Sequence, residues 1–428
     1  MKDIFQSTYI NPAVVPEHTI SIGLPGTSLY AQLITNGFVP NNFISFRQDT
    51  LRISPEKFIK ELNDRNLIYA GENVDLFHIR MKFQDGFYWF GIRQNTNISF
   101  FYPKDLFSLA IKGNESFMGN KLDLSNTKVD ISLYNEYTFG MSKELPRWVF
   151  GGRISLLQGY SNIHFDPKKL NVAIDTGMYN MTANADATVY TAGIPKNGEG
   201  DVSFDHVNTD NMSWILNYLT NFKNRGFALS AGATFKLDDK TRFSASVYNL
   251  GFINWKDSTE AYSMTGSSAF DGVKVISDYL YDRETDIDSI LTDMKDKFDQ
   301  DTIKNESYRT WLNPKFYLSA SYDITTRTTL GLSFTGVYNK KFYPAVTVGL
   351  QQGVGRFFNL IGTLSYNQRT INNLGFGLMV KPGPCQIFII ADNIYPAINP
   401  LFITNANVRF GFNLVFGRVK PADGLPYR

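Results

Sequence analysis

The last quarter of the chain is a row of short segments, each alternating apolar with small or polar residues and each closed by a tight turn. Val408, Phe410, Phe412, Leu414 and Phe416 share one face of the final segment, with Asn407, Arg409, Gly411, Asn413 and Gly417 on the other. Leu374, Phe376, Leu378 and Val380 oppose Gly375, Gly377 and Lys381 in the same way, and Leu330, Leu332 and Phe334 oppose Gly331 and Ser333. Side chains of a strand alternate between its two faces, so each segment is a ribbon with one greasy face and one small or polar face. A soluble sandwich turns the greasy face inward; a membrane barrel turns it outward to lipid and lines its lumen with the other. Segments of about 10–13 residues suit a tilted strand crossing roughly 30 Å of hydrocarbon.

The fold class that follows is all-β: a transmembrane antiparallel barrel of about 14 strands, with 16 as the alternative. Aromatic residues make up 15% of the 428, with 35 Phe and 23 Tyr, as expected for interface girdles. No apolar run is long enough for a transmembrane helix, and a mean hydropathy of −0.20 agrees with a barrel, in which only alternate residues meet lipid. A formal charge of +2, spread along the chain, gives no reason to expect nucleic acid. One cysteine, Cys385, excludes an internal disulfide and a Cys-based zinc site. The opening Met1-Lys2-Asp3-Ile4-Phe5 has no signal-peptide pattern, so the chain reads as a mature or truncated form.

Residues 1–16 lack alternation and contain Pro12 and Pro16, which marks an irregular segment rather than a strand. They read as an N-terminal plug ahead of a barrel spanning 17–428, either a hatch in the lumen or a mere cap, with Asn11 supplying hydrogen bonds around Pro12. Ile20 to Ile34 reads as a strand broken at Leu24-Pro25-Gly26. Ser54-Pro55-Glu56 starts a short helix, and Asp85-Gly86 makes a two-residue hairpin.

The stretch 169–192 reads as one or two strands. The strand total is even only if it is two or if the first segment stays out of the barrel. Two partly helical insertions, 194–225 and 256–309, interrupt the strands, the first with a helix from Asn211 to Lys223. In the second, Ile287, Ile290, Leu291, Met294 and Phe298 share a helical face, which either docks on the chain's own barrel or meets a partner. With a periplasmic C-terminus, both insertions fall outside the cell and the short turns inside.

Candidate chemistry is sparse. His18, His78, His164 and His206 are far apart, and no nucleophile-elbow motif or metal-binding His pair occurs, so neither enzyme activity nor a cofactor is expected. Asp282, Glu284, Asp286 and Asp288 have calcium-loop spacing, but Ile287 replaces the required glycine and the reading is a solvated acidic helix. Lipid-facing Phe376 and Phe412 should not tolerate charge, whereas Gly377 and Asn413, facing inward, should accept serine.

Three stretches carry a family likeness. One runs Asn135-Glu136-Tyr137-Thr138-Phe139-Gly140 to Gly151-Gly152-Arg153; another contains Gly226-Phe227, then Asn249-Leu250-Gly251, and ends at Trp255. The third joins Asp392-Asn393 to Arg409-Phe410-Gly411-Phe412-Asn413. Together they resemble Bacteroidota outer-membrane barrel proteins of unassigned function, over nearly the whole chain. That pattern has Asp where this chain has Asn249 and Ser230. The early Asn11-Pro12-Ala13 is similar, more distantly, to the FadL superfamily of 14-stranded barrels, whose N-terminal segment folds into the lumen. The resemblance implies a non-enzymatic outer-membrane protein embedded in lipid. Two functions are then expected: an accessory or scaffold subunit of an envelope assembly or secretion complex, with protein partners, or FadL-like passage of hydrophobic small molecules.

Overall fold

A computed structural model of the chain describes residues 4–47, 50–176, 181–194, 220–270, 299–367 and 370–419. After one 3-10 turn, Phe5–Tyr9, the chain forms β1 (Ile20–Gly23) and β2 (Ser28–Thr35), two halves of a single wall strand. The break falls at Leu24-Pro25-Gly26, where Pro25 has no N–H to give to the ladder. A small hairpin, β3 (Ile44–Arg47) with β4 (Thr50–Ile53), and helix α1 (Pro55–Glu61) precede the long strands β5 (Asn66–Phe83) and β6 (Gly86–Tyr102). Helix α2 (Lys104–Lys112) and short β7 (Lys121–Asp123) lead to β8 (Lys128–Glu144) and β9 (Trp148–Phe165).

An excursion through β10 (Lys169–Ile174) and β11 (Met181–Ala192) follows, before the wall resumes with β12 (Arg225–Lys236) and β13 (Thr241–Trp255). A second excursion contains β14 (Thr259–Phe270) and β15 (Asp299–Lys304). The next wall strand is again in two halves, β16 (Tyr308–Trp311) and β17 (Lys315–Asp323), split beside Pro314. The wall ends with β18 (Thr328–Asn339), β19 (Lys341–Val354), β20 (Phe358–Asn367), β21 (Thr370–Val380), β22 (Cys385–Ala391) and β23 (Asn405–Phe416). Both β1 and β2 pair with β23, which closes an antiparallel barrel of 14 strands.

The outer surface is the greasy face. Phe139, Ile154, Leu318, Leu332 and Leu364 are each more than half exposed, while Asn413, Gln386 and His78 on the inner face are fully buried. A band of exposed apolar side chains around the wall is what lipid, not water, stabilises. No described helix is long and apolar enough to cross a membrane.

All short connections that link β5–β6, β8–β9, β12–β13, β17–β18, β19–β20 and β21–β22 lie at one end, with the start of β1 and the finish of β23. The long connections lie at the other end, together with the tight β18–β19 turn. Both insertions leave from this second end.

One expectation needs correction. Residues 169–192 are two strands, but neither is in the wall. β12 pairs directly with β9 from Arg225↔Gln158 to Phe235↔Trp148, so the wall continues past them. Instead β7, β10, β11, β14 and β15 pair in that order as a flap that extends the long-connection end and touches the top of β9. The physical reason is legible in β11: buried Ala183, Ala185 and Ala187 on one face are too small to make a lipid-facing surface, and Ala183 and Ala185 pack in one cluster with Leu122, Val172 and Ile174. The total is even because the first segment is in the wall and 169–192 is not. Insertion 256–309 is strand at both ends of its described part. The expected helix with Ile287, Ile290, Leu291, Met294 and Phe298 lies outside the described residues, as do the acidic positions 282–288 and nearly all of the helix expected at 211–223.

Candidate functional site: the occupied lumen

The N-terminal segment lies inside the barrel, in its short-turn half. Phe5 is fully buried and stacks flat on His78 of β5, with ring centroids 3.7 Å apart. That histidine fits because it lies over Gly23, where a Cβ would be 2.1 Å from the ring. Ile4 packs on Met379 and Phe388. Asp75 of β5 accepts two hydrogen bonds from the segment, from Gln6 Nε2 at 3.0 Å and from the Tyr9 hydroxyl at 2.9 Å. Gln6 also exchanges hydrogen bonds with Asn413 of β23, at 3.3 and 3.2 Å. Asn413 is therefore not the tolerant inner position that its polarity alone implied.

Asn11, Pro12 and Ala13 sit against β9, β12 and β13. The Asn11 Oδ1 accepts from the Ala13 N–H at 2.9 Å, turning the chain around Pro12. Thr234 donates to the Ala13 carbonyl at 3.1 Å, and Ser246 to the Ile10 carbonyl at 2.7 Å. The wall makes room through two glycines. A Cβ at Gly151 would lie 2.3 Å from the Pro12 carbonyl, and one at Gly232 2.2 Å from Asn11 Oδ1.

Beyond Tyr9 is a buried charged network. Arg93 and Glu136 face each other across β6 and β8, joined at 2.5 Å. Glu136 also accepts from Ser155 at 2.6 Å and lies 3.7 Å from Arg153. Burying these charges is tolerable because each meets an opposite charge or a hydrogen-bond partner. The Arg93 guanidinium stacks 4.1 Å from the Tyr9 ring centre, so the segment rests on this network as well as on Asp75. Further along, Arg409 of β23 lies 4.5 Å over Tyr30, and Lys315 is 6.0 Å from the Tyr248 ring. The lumen is thus rich in cations and tyrosines.

At the long-connection end, the β18–β19 turn leans across the mouth. Asn339 donates to Ser99 of β6 at 3.3 Å, although β6 and β18 are the third and ninth of the 14 wall strands. Lys340 pairs with Asp166, just past β9, at 2.7 Å, and Lys128 holds the same carboxylate at 2.6 Å. Burial works to raise the Asp166 carboxyl, but hydrogen bonds from Lys128 and Lys340 outweigh it and hold it below the usual carboxylate range.

The residues marked out by family likeness divide into two groups that do not meet as one site. On β12 and β13, Gly226 and Gly251 allow close backbone approach: a Cβ at either would lie within 2.3 Å of a carbonyl oxygen across the pair. Phe227 faces outward, and Trp255 is fully buried, donating to Thr310 at 2.9 Å. Asn249 alone in this group reaches the lumen network. It sits at φ 60°, beside the register shift between Leu229 and Ala231, and accepts from Arg153 at 3.3 Å. In the second group, the Asp392 N–H and the Asn393 side chain tie down the β22–β23 connection through Asn407 and Asn405, while Arg409 points into the lumen.

Sequence reasoning misses Asp75, Arg93 and Gln6, and places Glu136 and Arg153 only within a family motif. The available signal was a charged residue in mid-strand on the inner face, as in Glu136 between outward Tyr137 and the preceding Asn135. Of the histidines, His18 bonds a backbone carbonyl, His164 pairs with Asp130, His78 carries Phe5, and His206 lies outside the described residues.

A family model described as a family of unknown function, DUF5723, matches residues 12–392. The chain belongs to this family. No curated protein matches it. Among solved structures, this DUF5723 member is distantly similar to FadL-like barrels. A mutant of the monoaromatic hydrocarbon channel TodX lacking S2 and S3 is 10% identical, with 95% of this chain and 93% of that one covered and a TM-score of 0.48. The Pseudomonas putida toluene transporter TodX is 7% identical, covering 96% and 92%, at 0.43. A Pseudomonas aeruginosa FadL homologue is 11% identical, covering 97% and 94%, at 0.44.

Proposed function

We propose that this barrel is a gated conduit in an outer membrane for small hydrophobic molecules with a polar end, and that residues 4–16 are its gate. One observation carries the reading. Among the described residues, no backbone–backbone hydrogen bond joins residues 4–16 to the wall; the segment is held by side-chain bonds and ring contacts. A gate attached in this way can leave without breaking the sheet, because the wall strands keep their own ladders. The polar end of the cargo follows from the lining: Arg409, Lys315, Tyr30 and Tyr248 offer charge and ring faces above the segment.

A second reading, an accessory subunit of an envelope complex, rests on the flap of β7, β10, β11, β14 and β15. This sheet has its own apolar cluster around Leu109, Leu122 and Ile174 and adds surface beyond what the wall requires. Purification in mild detergent followed by mass spectrometry separates the two. An amphipathic small molecule retained without a protein partner supports the conduit; a stoichiometric protein partner with an empty lumen supports the subunit and overturns the conduit.

A further inference from the structure

The outer wall carries a charged row just above its apolar band at the long-connection end. In register across β12, β13 and β16, Arg225 faces Asn254 and Asn254 faces Arg309. The next outward row toward mid-membrane is entirely aromatic: Phe227, Phe252 and Trp311. Aromatic rings in such a row mark the level at which hydrocarbon gives way to headgroups. The arginines therefore lie among the headgroups, and both are exposed.

Their geometry is fixed, not floppy. Arg309 Nε donates to Asn254 Oδ1 at 2.7 Å, and its guanidinium lies 4.2 Å from the Phe252 ring centre. Arg225 Nε donates to the Phe222 carbonyl at 2.7 Å. Each side chain is thus held through Nε, which leaves the two NH2 groups of each guanidinium outside these bonds. Among the described residues neither arginine has a carboxylate partner; the nearby Asp257 is engaged by Lys223 at 3.0 Å. Lys256 adds a further exposed cation. Neighbouring strands are about 4.8 Å apart, so two arginines two strands apart span roughly 10 Å at the backbone. That is the span over which long side chains converge on one phosphorylated headgroup, and guanidinium forks match phosphate oxygens.

We propose that Arg225, Asn254 and Arg309 form a docking site for the phosphate-bearing headgroup of an anionic lipid in the leaflet at the long-connection end, with Phe227, Phe252 and Trp311 against its acyl chains. The headgroup supplies the negative charge the row lacks, and the aromatic row sets the depth of the lipid.

Native mass spectrometry of the full-length chain in detergent, titrated with diphosphoryl lipid A, tests this. The intact protein should retain one lipid, and monophosphoryl lipid A with the same acyl chains should bind more weakly. Arg225→Gln and Arg309→Gln should each weaken retention about tenfold, as expected for loss of one charge-assisted contact. Arg309→Lys, which keeps the charge and loses the planar stack, should fall between. Arg327→Gln at the opposite end should change nothing. Unaltered heat-modifiable migration checks that each variant is folded. Equal retention by the intact protein and the folded double variant would overturn the proposal. So would full displacement of the lipid by excess inorganic phosphate, which would mark a bare anion site.

Discussion

Gln6→Ala combined with Tyr9→Phe removes the hold of Asp75 and Asn413 on the N-terminal segment without touching the wall. The pair loses two hydrogen bonds to the Asp75 carboxylate, at 3.0 and 2.9 Å, and two with Asn413, at 3.3 and 3.2 Å. Bonds to a charged group contribute about 1.5–3 kcal/mol each and neutral ones about 0.5–1.5. The low end of each gives about 4 kcal/mol, or roughly a thousandfold in the ratio of displaced to seated segment. The stack of Phe5 on His78 and the packing of Ile4 remain, so the segment stays seated most of the time. A cysteine at Thr8, 1% exposed and bonded only within its own turn, reports each departure when Cys385 is replaced by Ser. Labelling by a membrane-impermeant maleimide should accelerate by about that thousandfold in the double variant. Gly151→Ala should have the same effect from the wall side, because its Cβ would meet the Pro12 carbonyl at 2.3 Å. Unchanged labelling in both folded variants would refute the idea that these contacts seat the segment.

Further outcomes follow from the same geometry. Phe376→Arg places a charge on a lipid-facing position that is 46% exposed, and should cost about 2–4 kcal/mol near the midplane, read as a lower unfolding midpoint in bilayers. Asn249→Val puts a β-branched residue at φ 60° and removes an acceptor from Arg153; a loss of about 2–4 kcal/mol is expected by the same assay. The Asp166 carboxyl is depressed in the folded protein, so its hold on Lys340 is complete above the ordinary carboxylate value and is lost as pH falls through the depressed one. Distances between nitroxides at positions 168 and 341 should therefore be unchanged from about pH 8 down to the ordinary carboxylate value of about 4 and broaden only at pH below it, whereas Lys340→Ala should broaden them at neutral pH.

Alternation was enough to read the wall. Period two is a local property, so Phe376, Phe410 and Leu332 declared their outward face and Asn407 and Asn413 their inward one. The prolines at 25 and 12 marked a split strand and an irregular segment because a missing N–H is also local. What stayed hidden depends on closure. A flap strand such as β11 has the same period as a wall strand, and only the small size of Ala183, Ala185 and Ala187 distinguishes it. The lumen network joins residues far apart in sequence: Tyr9 with Asp75, Arg153 with Glu136, Asn339 with Ser99. Inward orientation could be read for each, but not which inward groups meet across a closed barrel. Asn413 shows the consequence, since inner polarity implied tolerance and the structure gives it Gln6 and Gln386 as partners.

The central claim is that the N-terminal segment closes a conduit. The most direct measurement is single-channel conductance in planar bilayers of the intact chain and of a variant lacking residues 1–16, each with and without Lys340→Ala to free the mouth. The account predicts folded barrels throughout, a low conductance for the intact chain, and a clear rise on removal of the segment that is largest with the mouth also freed. A folded deletion variant that conducts no more than the intact protein, even with Lys340→Ala, would contradict it.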